Sequence, residues 1–297
     1  MPPRPARAVN ALTVDVEDYF QVSAFESCVA RERWGEYESR VAANTGRLLD
    51  LFAASGVRAT FFMLGWVAER DPALVRRIAD GGHELASHGF GHRLVYDQSP
   101  EGFREDVRRG KAAVESAIGQ PVRGYRAPSF SVTARSLWAI DVLIEEGFAW
   151  DASVFPIRHD RYGIPDAPRH PYWIAHGAGA RGLLEIPAST VRLLGTNLPV
   201  GGGGYFRLLP YWWTRFGIRR LNEREGRPAV FYLHPWEVDP DQPRLNGSRL
   251  SRFRHYRNLS KTAPRLRRLL SDFRFAPIGE AIVGARGRDG TRDGDQG

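Results

Sequence analysis

Cysteine is nearly absent from this 297-residue chain: Cys28 stands alone, so no intrachain disulfide can staple the fold. That scarcity leans toward a reducing compartment. Lysine is almost as rare, with Lys111 and Lys261 the whole supply, and arginine carries nearly all of the formal net charge of +8. No apolar run approaches the roughly 20 residues of a membrane span. None of signal-peptide length precedes the first acidic cluster in MPPRPARAVNALTVDVED. These absences predict a cytoplasmic protein without a membrane span. No glycine-rich phosphate-binding fingerprint follows the first strand, which argues against a dinucleotide-binding fold. The arginines are scattered among acids and accompany no nucleic-acid reader module, so nucleic acid is not an expected partner.

What is present suits a globular enzyme-sized domain, with 42% hydrophobic and 11% aromatic residues. ALTVDV (11–16) predicts a buried strand with acids at its carboxyl end. A helix is expected over 40–54, a strand over 58–65, and a helix over 72–82 that stops at glycine. HELASHG follows as a short strand and loop, 101–118 as a helix, VRGYRAPS as a strand and turn, and 134–148 as an amphipathic helix. AWDASV, LLEIPAST and AVFYLHP supply further strands. Such alternation predicts parallel βα units, and a barrel rather than an open sheet. GGGG (201–204) breaks the rhythm, either as a flexible loop or as one that shapes a site. Residues 238–256 look irregular, and 261–275 predicts a terminal helix. The domain plan is a disordered 1–9, a barrel over 10–237, an extension packed on it over 238–285, and a disordered tail over 286–297.

Chemistry concentrates in a few segments. HGFGH sets His88 and His92 four apart, a spacing that on a helical turn would aim two imidazoles at one cation. Asp15, Glu17 and Asp18 cluster at the carboxyl end of the first strand, where α/β folds place their sites. One acid would complete a two-His-one-carboxylate metal set, and a second would serve as a base beside it. Asp15 and Glu17 alternate and so share one side of the strand, with Asp18 at the turn, and the residues alone leave open which acid is ligand and which is base. Arg126 in GYRAPSF needs a carboxylate partner, with Asp15 and Asp151 as candidates. His234, after the strand AVFYL and before a Pro turn, is the candidate general acid.

In order, DVED (15–18), HGFGH (88–92), RAP (126–128), WD (150–151) and LH (233–234) resemble the five motifs of the polysaccharide deacetylase family, which shares the NodB homology domain. DVEDYFQVSAFE (15–26), HPWEVDPDQPR (234–244) and RFRHYRNL (252–259) resemble a subgroup found near exosortase-associated exopolysaccharide gene clusters. The resemblance implies a distorted (β/α) barrel with fewer than eight units, followed by an irregular, helical C-terminal extension. It implies Asp15 as catalytic base, Arg126 as its tether, Asp151 beside them, and His234 as general acid. The divalent metal, most simply Zn2+, would sit on His88, His92 and Glu17 or Asp18. Two departures stand out. Val16 occupies the second place of the usual adjacent acids, and Gly89 replaces a Ser or Thr whose hydroxyl would orient the loop.

The activity so implied is removal of N-acetyl groups from an amino-sugar polysaccharide in exopolysaccharide biosynthesis. Phe130, Trp150, Tyr205 and Trp236 would offer apolar platforms to sugar rings, and backbone N–H groups near Ser129 or Phe130 would meet the oxyanion. Hydrolysis of a cyclic amide or ureide, as by allantoinase-like relatives, would use the same groups. A non-catalytic glycan-binding scaffold would need none of them.

Overall fold

The chain's computed structural model describes residues 8–176 and 180–284. Residues 1–7 and 286–297, where disorder is expected, lie outside the described residues, and Val9 already opens β1. Alternation along that strand, Val9–Val16, organises the rest. Leu12, Val14 and Val16 pack outward against helices, while Ala11, Thr13 and Asp15 share the opposite, inward face.

The parallel strands that follow are β2 (Thr60–Met63), β3 (Glu84–Ser87), β4 (Gly124–Tyr125) and β5 (Trp150–Asp151). They lie side by side in chain order from β1, with no topological switch point, so the sheet is wound in one direction as in a barrel. Beyond β5 come β7 (Ala180–Glu185) and its antiparallel neighbour β6 (Tyr172–His176). On the other flank, β10 (Val230–Leu233) pairs with β1. The hairpin β8 (Thr190–Leu193) and β9 (Thr196–Pro199) stands apart from this sheet. Helices α1 (Val41–Ala54), α3 (Pro72–Asp80), α4 (Pro100–Ile118) and α5 (Trp138–Glu145) occupy the crossovers. A short α2 (Gly65–Arg70) joins them; six residues are too few to register as a periodic apolar stripe.

The ladder is open between β7 and β10, and the glycine run closes that gap. Ser189 Oγ accepts the Val230 N–H at 2.7 Å, and Gly202 bridges to Tyr232 in parallel. A β-carbon at residue 202 would sit 2.0 Å from the Tyr232 carbonyl oxygen, and the residue has φ +119°. The glycines therefore serve close backbone approach, delivering α6 (Gly203–Leu208) and α7 (Tyr211–Arg219) beside the strand that leads to His234.

The carboxyl-terminal segment holds two helices, α8 (Arg249–Tyr256) and α9 (Leu259–Asp272), and a strand, β11 (Arg274–Ala276). The strand adds to the sheet beside the start of β1, where Val9 pairs with Arg274. Two expectations are corrected here. Residues 249–256 are helical, capped by Ser248 accepting from the Ser251 N–H at 3.0 Å; their mostly basic composition hid the turn. Residues 274–276 are strand rather than helix, because Phe275 buries against Phe231. No helix among the described residues is long and apolar enough to cross a membrane.

Placing a methyl group against the Tyr232 carbonyl should be costly. Gly202→Ala is expected to lower stability by about 2–4 kcal/mol. Gly204→Ala, whose nearest neighbour is the end of the Arg207 side chain at 4.0 Å, should stay near wild type. Thermal unfolding of the pair measures the difference, and equal melting temperatures would contradict the close-approach role.

Candidate metal and catalytic site

Thr13, Asp15 and Glu17 point into the mouth of the barrel from β1 and the residue just past it. The Glu17 N–H donates to the Asp15 carbonyl at 3.1 Å, a tight turn that keeps Glu17 on the inward side. His88 and His92 follow β3. Ligand atoms of Glu17, His88 and His92 all lie within 4.8 Å of one another, and the three residues are buried. Asp18 does not join them. Its Oδ2 accepts from the N–H groups of Arg40 (2.8 Å) and Val41 (3.1 Å) and from the Ser39 hydroxyl (2.9 Å), so it caps α1.

HGFGH is a bent loop, not the helical turn that the i, i+4 spacing suggests. Asp106, on α4, accepts from the N–H groups of Phe90 (2.8 Å) and Gly91 (2.9 Å) and pins the loop. Gly89 has φ +70°, and a β-carbon there would fall 2.5 Å from Asp106 Oδ2. Asp106 thus supplies the orientation that a Ser or Thr hydroxyl at 89 was expected to give. His92 itself adopts φ +49°, a conformation that non-glycine residues hold only under constraint.

Each imidazole is prepared differently. His88 Nδ1 lies 2.8 Å from the Arg126 carbonyl oxygen, which fixes the proton on Nδ1 and leaves Nε2 as a free donor pair. Burial lowers its pKa to about 4, keeping the ring neutral. His92 Nε2 stands 2.5 Å from Glu17 Oε2. Yet that oxygen and His92 Nδ1 have no hydrogen-bond partner, although both are buried. Burial pushes the Glu17 carboxyl up, but His92, His234 and His88 outweigh it and hold the group ionised. An ionised, orphaned carboxylate oxygen aimed at two imidazoles fits a divalent cation, and the donor set suits zinc.

Asp15 and Arg126 form the second half of the site. Arg126 is 1% exposed; its Nη1 donates to Asp15 Oδ1 at 2.7 Å and to Thr13 Oγ1 at 2.8 Å. The guanidinium lies 4.0 Å above the Phe62 ring, and Phe62 meets Trp150 edge-on. Asp151 is not its partner. Asp151 Oδ1 accepts from Ser153 Oγ at 2.5 Å, and the residue sits in register with Glu185 on β7. Burial raises the Asp151 carboxyl to about 6 and the Glu185 carboxyl well above its usual range, so this pair shares a proton.

His234 faces Asp15 from just past β10, with Nε2 3.8 Å from Asp15 Oδ2 and 3.7 Å from Glu17 Oε1. Its Nδ1 is held 2.7 Å from Glu237 Oε1, and Arg207 Nε donates to Glu237 Oε2 at 2.6 Å. Burial disfavours the imidazolium, but Glu17, Glu237 and Asp15 raise its pKa to about 9. A protonated His234 at neutral pH follows. Sequence reasoning missed Glu237, although it lies in the same HPWE segment at i+3, and missed Asp106 and Arg207, which carry no local signal.

The aromatic residues expected as sugar platforms do not present open faces. Phe130, Trp150 and Trp236 are each 4% exposed. Trp150 lies beneath Phe62 in the barrel, Phe130 packs on Tyr232, and Trp236 donates Nε1 to Glu17 Oε1 at 3.1 Å. Tyr205 is only half-buried. Of the two N–H groups expected near an oxyanion, that of Phe130 is bonded to the Ala127 carbonyl at 3.1 Å.

Removing Asp106 should loosen the ligand loop without touching a ligand. Asp106→Ala is expected to weaken zinc binding about 10–100-fold. Competition with a chromophoric chelator measures it, and unchanged affinity would show that the loop holds itself.

Comparisons with known proteins agree with this architecture. The polysaccharide deacetylase family matches residues 34–143, and a domain of unknown function, DUF3473, matches 152–283. A chitooligosaccharide deacetylase of Rhizobium leguminosarum bv. trifolii is 34% identical over 109 residues, 33% of this chain and 51% of that protein. A peptidoglycan-N-acetylglucosamine deacetylase of Bacillus cereus is 33% identical over 78 residues, 26% of this chain and 37% of that protein. The chain thus spans about half or less of the length of these relatives. Among solved structures, a Mycobacterium smegmatis protein described as a polysaccharide deacetylase superposes with a TM-score of 0.65, covering 97% of this chain and 93% of its own at 19% identity. The Puue allantoinase superposes with a TM-score of 0.62, covering 98% and 93% at 14% identity. These two likenesses speak for the fold alone. Residues 34–143 thus match the polysaccharide deacetylase family, and the fold of the described residues agrees with that match.

Proposed function

We propose that the chain is a metal-dependent hydrolase that removes N-acetyl groups from an amino-sugar polysaccharide, in exopolysaccharide biosynthesis as the resemblance of residues 15–26 implies. The observation that carries this reading is the approach of Asp15 and His234, 3.8 Å apart, beside the Glu17, His88 and His92 cluster. Those three residues would hold zinc, which when bound supplies Lewis acidity that lowers the pKa of a water and polarises a carbonyl.

The chain's own groups account for the proton transfers. Arg126 occupies Asp15 Oδ1, so Oδ2 is the oxygen that takes the proton as water adds to the acetyl carbon. The Ser129 N–H is assigned to the oxygen that gains charge. His234 delivers its Nε2 proton to the sugar nitrogen, the C–N bond breaks, and acetate and a free amine result. Amines leave poorly unless protonated, which is why an imidazole whose Nδ1 is held 2.7 Å from Glu237 Oε1 suits this step.

Hydrolysis of a ureide is the second reading. It draws on the burial of Asp15, Glu17, His88 and His92. Acetate release decides between them. The expected result is acetate from N-acetylated chitooligosaccharide, lost on chelation, restored by zinc, and no turnover of allantoin. His234→Ala should lower kcat about 10²–10⁴-fold. Full activity of a His88→Ala/His92→Ala double variant, or turnover of allantoin alone, would sink the assignment.

A further inference from the structure

A row of aromatic rings leads from the site to the surface. Tyr232 lies 5.9 Å from the His234 ring, Phe130 4.9 Å from Tyr232, and Phe155 5.3 Å from Phe130. Tyr162 stacks on Phe155 at 5.8 Å and 9°, and its hydroxyl is 3.3 Å from that of Tyr205. Tyr162 and Tyr205 are the half-buried, outer members of the row. The His159 ring stacks on Tyr162 at 3.8 Å, so Tyr205 and the edge of Tyr162 are the aromatic groups that a bound sugar chain would meet first.

Around these two tyrosines the charge is positive. Arg161 Nη2 donates to the Ser23 carbonyl at 3.1 Å, and Ser23 Oγ bonds Ser129 Oγ at 2.6 Å, which ties the arginine to the turn after Arg126. Arg254, on α8, exerts its charge on both Tyr162 and Tyr205. Asp160 lies 3.9 Å from Arg254 beside a His159 ring whose charging burial disfavours, so one acid stands among Arg158, Arg161 and Arg254. Arg158 is exposed, with no partner among the described residues. Behind this rim, residues 242–271 contain nine arginines and lysines and not one Asp or Glu.

The same stretch is fastened to the catalytic apparatus. Arg207, which holds Glu237, also donates Nη1 to the carbonyls of Arg254 (3.0 Å), His255 (2.7 Å) and Arg257 (3.1 Å). The His255 ring stacks on Trp236 at 4.1 Å. Outside, α8 exposes Leu250 and Phe253 among Arg249, Arg252 and Arg254. An apolar face flanked by cations suits a sugar ring that carries a carboxylate.

We propose that this site takes an anionic, carboxylate-bearing glycan, with Arg161 and Arg254 binding an acidic sugar near the N-acetylated one. The inference rests on the deacetylase reading for its geometry but not for its test. A chain of rings entering a hydrolytic site favours a polysaccharide over nucleic acid or an anionic lipid surface.

The experiment measures binding of the full-length protein to hyaluronan and to the same polymer after carboxyl reduction, at about 50 mM and 300 mM NaCl. Acetate release is followed in parallel. Hyaluronan is expected to bind roughly tenfold more tightly at low salt, with the gap closing at high salt. Arg161→Gln/Arg254→Gln should abolish the discrimination, and Arg249→Gln/Arg252→Gln on the exposed face of α8 should reduce it. Equal binding of the two polymers, binding of neither, a gap that survives in the first double variant, or equal retention on duplex DNA or anionic vesicles overturns the proposal. Acetate from both polymers with equal binding leaves the deacetylase reading standing. Discrimination without acetate release preserves the anionic-glycan site and removes that reading.

Discussion

The buried Arg126–Asp15 pair is the contact on which the rest of the site depends. Its guanidinium locks one oxygen of Asp15 and the Thr13 hydroxyl, while its own carbonyl accepts from His88 Nδ1. One residue thereby orients both the candidate base and a candidate metal ligand. Burying that charge is expensive, and removing one partner of such a pair costs about 3–5 kcal/mol. The Phe62 ring beneath the guanidinium and the Ala152 carbonyl at 3.2 Å from Nε share in stabilising it. Trp150 belongs to the same stack, which explains its place in the WD segment as support rather than as a sugar platform.

Much of this was legible in the sequence. Strand β1 announced itself through apolar alternation ending in acids, and the order of the five motifs carried both fold class and barrel. What the sequence left open at the acids was decided by one turn. Glu17 stays inward because its N–H folds back on the Asp15 carbonyl, and the next residue leaves the barrel to cap α1. Periodicity has no means of seeing where a strand ends to that accuracy. Spacing also misled at HGFGH, where a carboxylate fourteen residues downstream of His92, not a helical turn, brings the histidines together. Long-range hydrogen bonds of this kind leave no local pattern.

Apart from Asp15 and Glu17 of the first strand and its end, which precede both, the site residues are divided between the two matched regions. His88, His92 and Arg126 fall within 34–143, whereas Arg207, His234 and Glu237 fall within 152–283, the region of unassigned function. That second region supplies the apparatus around the candidate acid and, through Arg207, ties it to α8 and α9. It also contributes β11 to the sheet beside β1. The glycine run that closes the barrel belongs to it as well, so closure of the fold and placement of His234 are one structural event.

The central claim is that Glu17, and neither Asp15 nor Asp18, completes the metal site with His88 and His92. Anomalous scattering at the zinc edge from zinc-soaked crystals tests it most directly. The account predicts one strong peak about 2.0–2.2 Å from a Glu17 oxygen and from one nitrogen of each histidine. A peak ligated by Asp15 or Asp18, or no peak between the two histidines, would contradict it.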